Sequence, residues 1–314
     1  MSKLKNISLF FALCISFFVG SIKGMVDNRM AMNHNRKVYL ISNPRASLVQ
    51  FLRMIGNRGD FKVMHIPANY AYCNVPEHDY TKLVEGWYRE DAPTTYAQAK
   101  EDILKEAEKS NVFVGENTHT ANEFLKANTD FLSDPRVQFL VLIREPHGSI
   151  IDYYEQKKAK FDELLENQVS KSMGFEGLYN LLVELKATSK GLPLIISTED
   201  LYYNTNNTVQ KVCEYLEIPF KEESLHWEDI SKNFTTFEEA LGWYTIELTD
   251  CSKKWHKDAI SSTGFTEPGR YAVNTDGQPT FSEIENENHR AICRKAYEEN
   301  LVYYDKIKAL IQAN

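Results

Sequence analysis

Four side chains in this sequence have the types and placement to move a charged group. Arg45 follows the apolar run Val38–Ile41, Arg144 follows Val137–Ile143, and Glu116 and His119 close the run that begins at Val112. Two fixed cations would clamp an anion, and a carboxylate or imidazole beside them would take a proton from an acceptor. The stretch "KVYLISNPRASLVQFLRMI", Lys37 to Ile55, is the most informative. An apolar strand gives way to Ser42-Asn43-Pro44-Arg45, and apolar residues then recur at Leu48, Phe51, Leu52 and Ile55, the spacing of a helix. The first turn of that helix offers unpaired N–H groups and the positive end of its dipole, which suits phosphate or sulfate. A plainer reading also holds for each residue: Arg45 as a solvated loop cation with Ser47 as N-cap, His119 as a surface helix start, and Glu116 as a first-turn dipole partner.

The elements that must position these residues alternate. Strand signals fall at 38–41, 61–66, 111–116, 137–144 and 192–198. Helical signals fall after Ser47, at about 97–109, from Glu116 to Phe131, and over a long region from Pro146. Short apolar runs alternating with helices predict a three-layer α/β/α fold around a parallel sheet, with ligands at the carboxyl ends of the strands. The polar, aromatic-rich stretch 67–98, with Tyr70, Tyr72, Trp87 and Tyr88, is a candidate pocket wall. From about residue 221 the chain reads as mostly helical, and its last helix has an apolar stripe (Ile292, Ala296, Leu301, Tyr304) suited to docking.

Composition narrows the function. The chain has 314 residues, is 43% hydrophobic and 25% charged, and carries a net charge of −8. An acidic chain with no long Lys/Arg run is a poor match to a nucleic-acid duplex, so no nucleic-acid partner is expected. No G-x-x-x-x-G-K-[ST] occurs, which disfavours a nucleotide kinase. Met1–Gly24 has a basic start and an apolar core from Ile7 to Val19, the shape of a signal peptide or a short membrane anchor. The expected location is then exported or membrane-anchored, with membrane contact only through this segment. Initiation at Met25, Met30 or Met32 would instead leave a cytoplasmic protein. No C-x-x-C pair occurs and no metal site is expected; Cys213 shares an apolar face with Val209, Val212 and Leu216.

Three segments resemble the P-loop-like sulfotransferase family. "SNPRASLVQFLRMI" is similar to its 5'-phosphosulfate loop, and "VQFLVLIREPHGSIIDYY" to its 3'-phosphate segment. "LPLIISTEDLYYNTNNTVQKVCEYLEIPF" matches its strand, Glu-Asp-Leu and closing Leu-x-Ile-Pro-Phe in type and spacing. The resemblance implies a domain over residues 36–314. It also implies transfer of a sulfuryl group from 3'-phosphoadenosine 5'-phosphosulfate (PAPS) to a hydroxyl or amine, on a small molecule or a glycan. It implies that Arg45, with Ala46, Ser47, Leu48 and Val49, holds the phosphosulfate, that Arg144 holds the 3'-phosphate, and that Glu116 or His119 is the base.

The departures are as specific. Leu48 and Val49 stand where the family usually has Ser or Thr hydroxyls, and Asp152 stands where it usually has a serine eight residues after the 3'-phosphate arginine. Ser149, one turn earlier, is a candidate substitute, and Asp152 is tolerable if it points away or pairs with a lysine such as Lys157. Gly269-Arg270 is a thin candidate for the family's glycine-rich C-terminal loop. The departures keep a second reading open, a non-catalytic descendant of the fold that acts as a binding module.

Overall fold

The structure is a computed structural model and describes residues 36–75, 91–163, 166–188, 190–231, 250–267, 269 and 271–313. The leader, Trp87, Tyr88 and Arg270 lie outside these residues.

Five strands form one sheet: β1 (Lys37–Ser42), β2 (Lys62–His65), β3 (Val112–Asn117), β4 (Val137–Ile143) and β5 (Leu194–Ser197). Every pairing is parallel and the order is β2-β3-β1-β4-β5. All six β1 residues are buried, as expected of a central strand covered on both faces. Alternation then divides the core. Tyr39 and Ile41 belong to one apolar cluster, Val38 and Leu40 to the other.

The helices, in chain order, are α1 (Leu48–Arg58), α2 (Asn69–Cys73), α3 (Tyr96–Ala107), α4 (Thr118–Ala127), α5 (Thr129–Ser133), α6 (Pro146–Lys157), α7 (Glu166–Met173), α8 (Phe175–Ala187), α9 (Thr198–Tyr203), α10 (Thr205–Tyr215), α11 (Asp250–Ser261) and α12 (Glu287–Gln312). α3 to α8 and α12 cover the Tyr39 face, while α1, α10 and the end of α11 cover the Val38 face. Cys213 is buried among Val209, Val212 and Leu216, the core position that its spacing predicted. Among the described residues no helix is long and apolar enough to cross a membrane.

Three details depart from the local reading. The helix expected to run from Glu116 to Phe131 breaks at Asn128, whose side-chain amide donates to the carbonyls of Phe124 and Tyr96 and ends the regular ladder. The long helical region after Pro146 is several pieces, with Gly174 in the left-handed conformation (φ 71°) between α7 and α8. Residues 271–286 are irregular, with a turn in which Asn274 donates to Gln278 (2.8 Å) and one antiparallel bridge from Val273 to Pro279. α12 docks against α6, α7 and α8 through Cys293, Ala296 and Ile307; of the expected stripe only Ala296 is fully buried, with Ile292 and Tyr304 half-buried against the same core.

Candidate functional site

The strand order makes the site. β1 lies between β3 and β4, so the strand order reverses there, and the carboxyl ends of strands at such a point are where α/β sheets place their ligands. Ser42 pairs with Asn117 on one side and Leu142 on the other, which brings the residues after all three strands to one rim.

The loop after β1 is held from below. The Asn43 N–H donates to the Leu142 carbonyl (3.0 Å), its side chain donates to Met173 (2.8 Å), and the Ala46 N–H closes a turn onto Asn43 (3.2 Å). Arg45 (φ 66°) and Ser47 (φ 63°) are both left-handed, a conformation that costs an L-residue about 1–2 kcal/mol. Such strain persists only where the surroundings impose it, and it is a common mark of ligand clamps. α1 starts at Leu48 with Ser47 in the N-cap position, yet the Ser47 side chain makes no capping hydrogen bond and no acid stands in the first turn. The plain capping role of Ser47 is therefore corrected: its carbonyl accepts from Phe51, but its hydroxyl leaves the helix start uncapped.

Leu48 and Val49 turn into the core beneath the loop. The expected hydroxyls are replaced there by packing: a Cβ on Gly115 would lie 3.0 Å from Leu48 Cδ1 and 2.7 Å from Leu52 Cδ1. That glycine is what lets α1 lie directly on β3. Arg45 Nε is buried and has no hydrogen bond. Burial pulls the Arg45 pKa down; Asp152 raises it and Arg144 lowers it further. A guanidinium remains charged at any working pH, so the loop presents a cation whose inner N–H has no partner of its own.

Across the rim, Arg144 Nη1 donates to the Arg45 carbonyl (3.0 Å) and to Asp152 (2.5 Å). Its Nη2 donates to the Tyr271 hydroxyl (3.2 Å), and that hydroxyl donates in turn to the other Asp152 oxygen. Asp152 therefore pairs with Arg144 and Tyr271 and not with Lys157, and it stays partly exposed. Arg144 lies across the first turn of α6, where a Cβ on Gly148 would come within 2.9 Å of its Nε. Ser149 sits in that turn, fully buried, and its hydroxyl has no hydrogen bond. Glu145 caps α6 by accepting from Gly148 (3.3 Å), and its burial, only partly offset by that bond, lifts its pKa to about 7.

Glu116 and His119 differ in their surroundings. Glu116 pairs in register with Ile41, is fully buried, and accepts the Ala68 N–H through Oε2 (3.0 Å). Its Oε1 is buried without a partner. Burial drives its pKa up to about 8, against the backbone N–H groups of Ala68 and Asn117 that lower it. His119 lies in the first turn of α4 with its ring 5.0 Å from that of Tyr72. Thr118 ties this helix to the rim by donating to the Ser42 carbonyl (3.0 Å).

The local reading did not reach Tyr271, Glu145, His65 or His256. The His65 and His256 rings are 5.5 Å apart, and burial keeps both neutral at pH 7, with Arg45 lowering His256 further to about 4. Only His65 left a signal, since it sits at the end of an apolar run. Among the described residues no His/Cys/Asp/Glu group is arranged to hold a metal.

A cationic strand–loop–helix at the switch point of a parallel sheet defines an α/β protein with its two arginines gathered at the carboxyl ends of the strands. The chain belongs to the sulfotransferase family: the sequence profile of the sulfotransferase domain matches residues 35–266. Among solved structures it is similar to the sulfotransferase domain of an olefin synthase from Synechococcus PCC 7002, at 13% identity over 62% of this chain and 77% of that one, with a TM-score of 0.38. It is also similar to the sulfotransferase domain from the curacin biosynthetic pathway, at 13% identity over 77% of this chain and 94% of that one, TM-score 0.46. A third is a mouse sulfotransferase complexed with PAP, at 10% identity over 89% of this chain and 88% of that one, TM-score 0.46. No curated protein matches the chain by sequence.

Proposed function

We propose that this chain is an active sulfotransferase that moves a sulfuryl group from an adenosine 5'-phosphosulfate-type donor, the class that includes PAPS, to a hydroxyl or amine on a small molecule or glycan. The observation that carries this reading is Glu116: a fully buried carboxyl at the end of β3 that the N–H groups of Ala68 and Asn117 only partly compensate, with a pKa near 8. A buried, incompletely compensated carboxyl costs the fold stability, a cost that a functional role accounts for. A general base with a pKa near the working pH is such a use.

In this reading the acceptor oxygen or nitrogen attacks sulfur, and the bond from sulfur to the bridging oxygen breaks. The electron pair leaves with the nucleotide phosphate, and the acceptor proton passes to Glu116. Arg45 and the uncapped first turn of α1 face the departing phosphate and stabilise the charge that develops there. Such a transfer needs little covalent help from the protein; cations on the oxygens and a base on the acceptor are enough. Glu116 is preferred over His119 because it is buried at the strand end, whereas the His119 ring rests on Tyr72.

The test is a thermal-shift titration with 3'-phosphoadenosine 5'-phosphate and adenosine 5'-monophosphate, followed by transfer of labelled sulfate to a panel of phenols, amines and sugars. A ligand at 100 times its dissociation constant should stabilise the fold by about 2.7 kcal/mol. Stabilisation by neither nucleotide at millimolar concentration would instead support the non-catalytic binding module.

A further inference from the structure

The Arg144–Asp152–Tyr271 cluster has the wrong charge for a second phosphate. Asp152 Oδ2 accepts from Arg144 at 2.5 Å and Oδ1 accepts from the Tyr271 hydroxyl, so the Arg144 cation is already paired. The pairing is supported on every side. Gly148 leaves room for the guanidinium, whose central carbon lies 5.8 Å from the Tyr271 ring centre. The Tyr271 phenol stays protonated, because burial and then the Asp152 charge raise its pKa, so it remains a donor to the carboxylate. The Arg144 side chain is 6% exposed and that of Asp152 29%, so the carboxylate is the more accessible member of the pair.

The cluster also lies beside the loop that would hold a nucleotide's 5' end. Arg144 Nη1 bonds both the Arg45 carbonyl and Asp152, so one nitrogen joins the phosphate loop to the carboxylate. A nucleotide with its 5'-phosphate on Arg45 and the start of α1 would bring its ribose next to Asp152. A carboxylate accepts a hydrogen bond from a ribose hydroxyl, whereas an added phosphate at the same place calls for a free arginine. We propose that the donor site selects a nucleotide whose ribose carries a free 3'-hydroxyl, with Asp152 as the specificity-determining residue that accepts from it and turns away a 3'-phosphate. This rests on reading the rim as a nucleotide site and names which member of the phosphosulfate class it takes.

The experiment is calorimetric titration of the full chain at one salt concentration with two probes that share a 5'-phosphate: adenosine 5'-monophosphate and 3'-phosphoadenosine 5'-phosphate. The wild-type protein should bind the monophosphate at least about tenfold more tightly, since a carboxylate about 4 Å from a phosphate disfavours it by that much even when well screened. Asp152→Ser should reverse the order, by weakening the monophosphate and strengthening the bisphosphate. Asp152→Asn, which keeps the side-chain shape, serves if the serine variant does not fold; it should abolish the discrimination. Equal affinities in the wild type, or a preference for the bisphosphate, would overturn the inference while leaving sulfuryl transfer standing. Binding of neither probe at millimolar concentration would overturn the nucleotide reading and this inference with it.

Discussion

Replacing Glu116 by Gln removes the charge and keeps the shape, so it isolates what the carboxyl does. The carbonyl oxygen of the introduced amide can still accept from the Ala68 N–H, which donates to Glu116 at 3.0 Å. With a pKa near 8, Glu116 is about one-tenth ionised at pH 7 and about nine-tenths at pH 9. If it is the base, kcat/KM in the wild type should rise about tenfold between those pH values and then level off. The glutamine variant should lose about 10²- to 10⁴-fold in rate, show no such rise, and bind nucleotide as before. Stability carries an independent signature. The folded carboxyl holds its proton up to about pH 8, while the unfolded one releases it near its ordinary value of 4.5. Its contribution is therefore complete below about pH 4.5 and is lost as pH rises toward 8, at up to about 1.4 kcal/mol per pH unit. Urea melts at pH 5, 6, 7 and 8 should show the variant gaining on the wild type across that window. A wild-type rate in the variant, with the same pH profile, would remove Glu116 from the chemistry. Parallel stability curves would show that its carboxyl is not held neutral by burial.

Arg45→Ala should abolish transfer and leave the melting temperature within about 2 °C, because the bond that Arg45 accepts from Arg144 is to its backbone carbonyl; turnover at the wild-type rate would take Arg45 out of the mechanism. His119→Ala should change kcat/KM less than about threefold, and a loss matching that of the Glu116 variant would transfer the role of base to the histidine. Gly115→Ala should cost about 1–3 kcal/mol in denaturant unfolding, because the new methyl meets Leu52 at 2.7 Å with the sheet behind it. Arg53→Ala should cost more than a surface change: its Nη1 donates to the carbonyls of Ala259, Ile260 and Ser262, and its Nη2 to that of Glu228. Faster proteolysis near α11 would report the loss, because these bonds tie the end of that helix to α1.

Local chemistry was enough for much of this protein. Period-2 and unbroken apolar runs marked all five strands within one or two residues, and the loop from Ser42 to Ser47 announced a cation at a helix start. The apolar face around Cys213 was legible for the same reason, since it depends on residues three, four and seven apart in the chain; the stripe read on α12 shares only Ala296 with the face that is buried. The choices made between distant segments were not legible. Whether β1 sits between β3 and β4 is settled by pairing across some 70 to 100 residues, and no local pattern encodes it. Glu116 and His119 stand three residues apart and look interchangeable in the sequence, yet the end of a strand buries one and the first turn of a helix sets the other against Tyr72. The sequence placed Asp152 two turns from Arg144 and marked it as a misplaced charge. Only the return of the chain at Tyr271, 119 residues later, gave that carboxylate its second partner and fixed its direction. Backbone propensity acts over a few residues, whereas the side chains of a site are held by packing and hydrogen bonds across the whole fold.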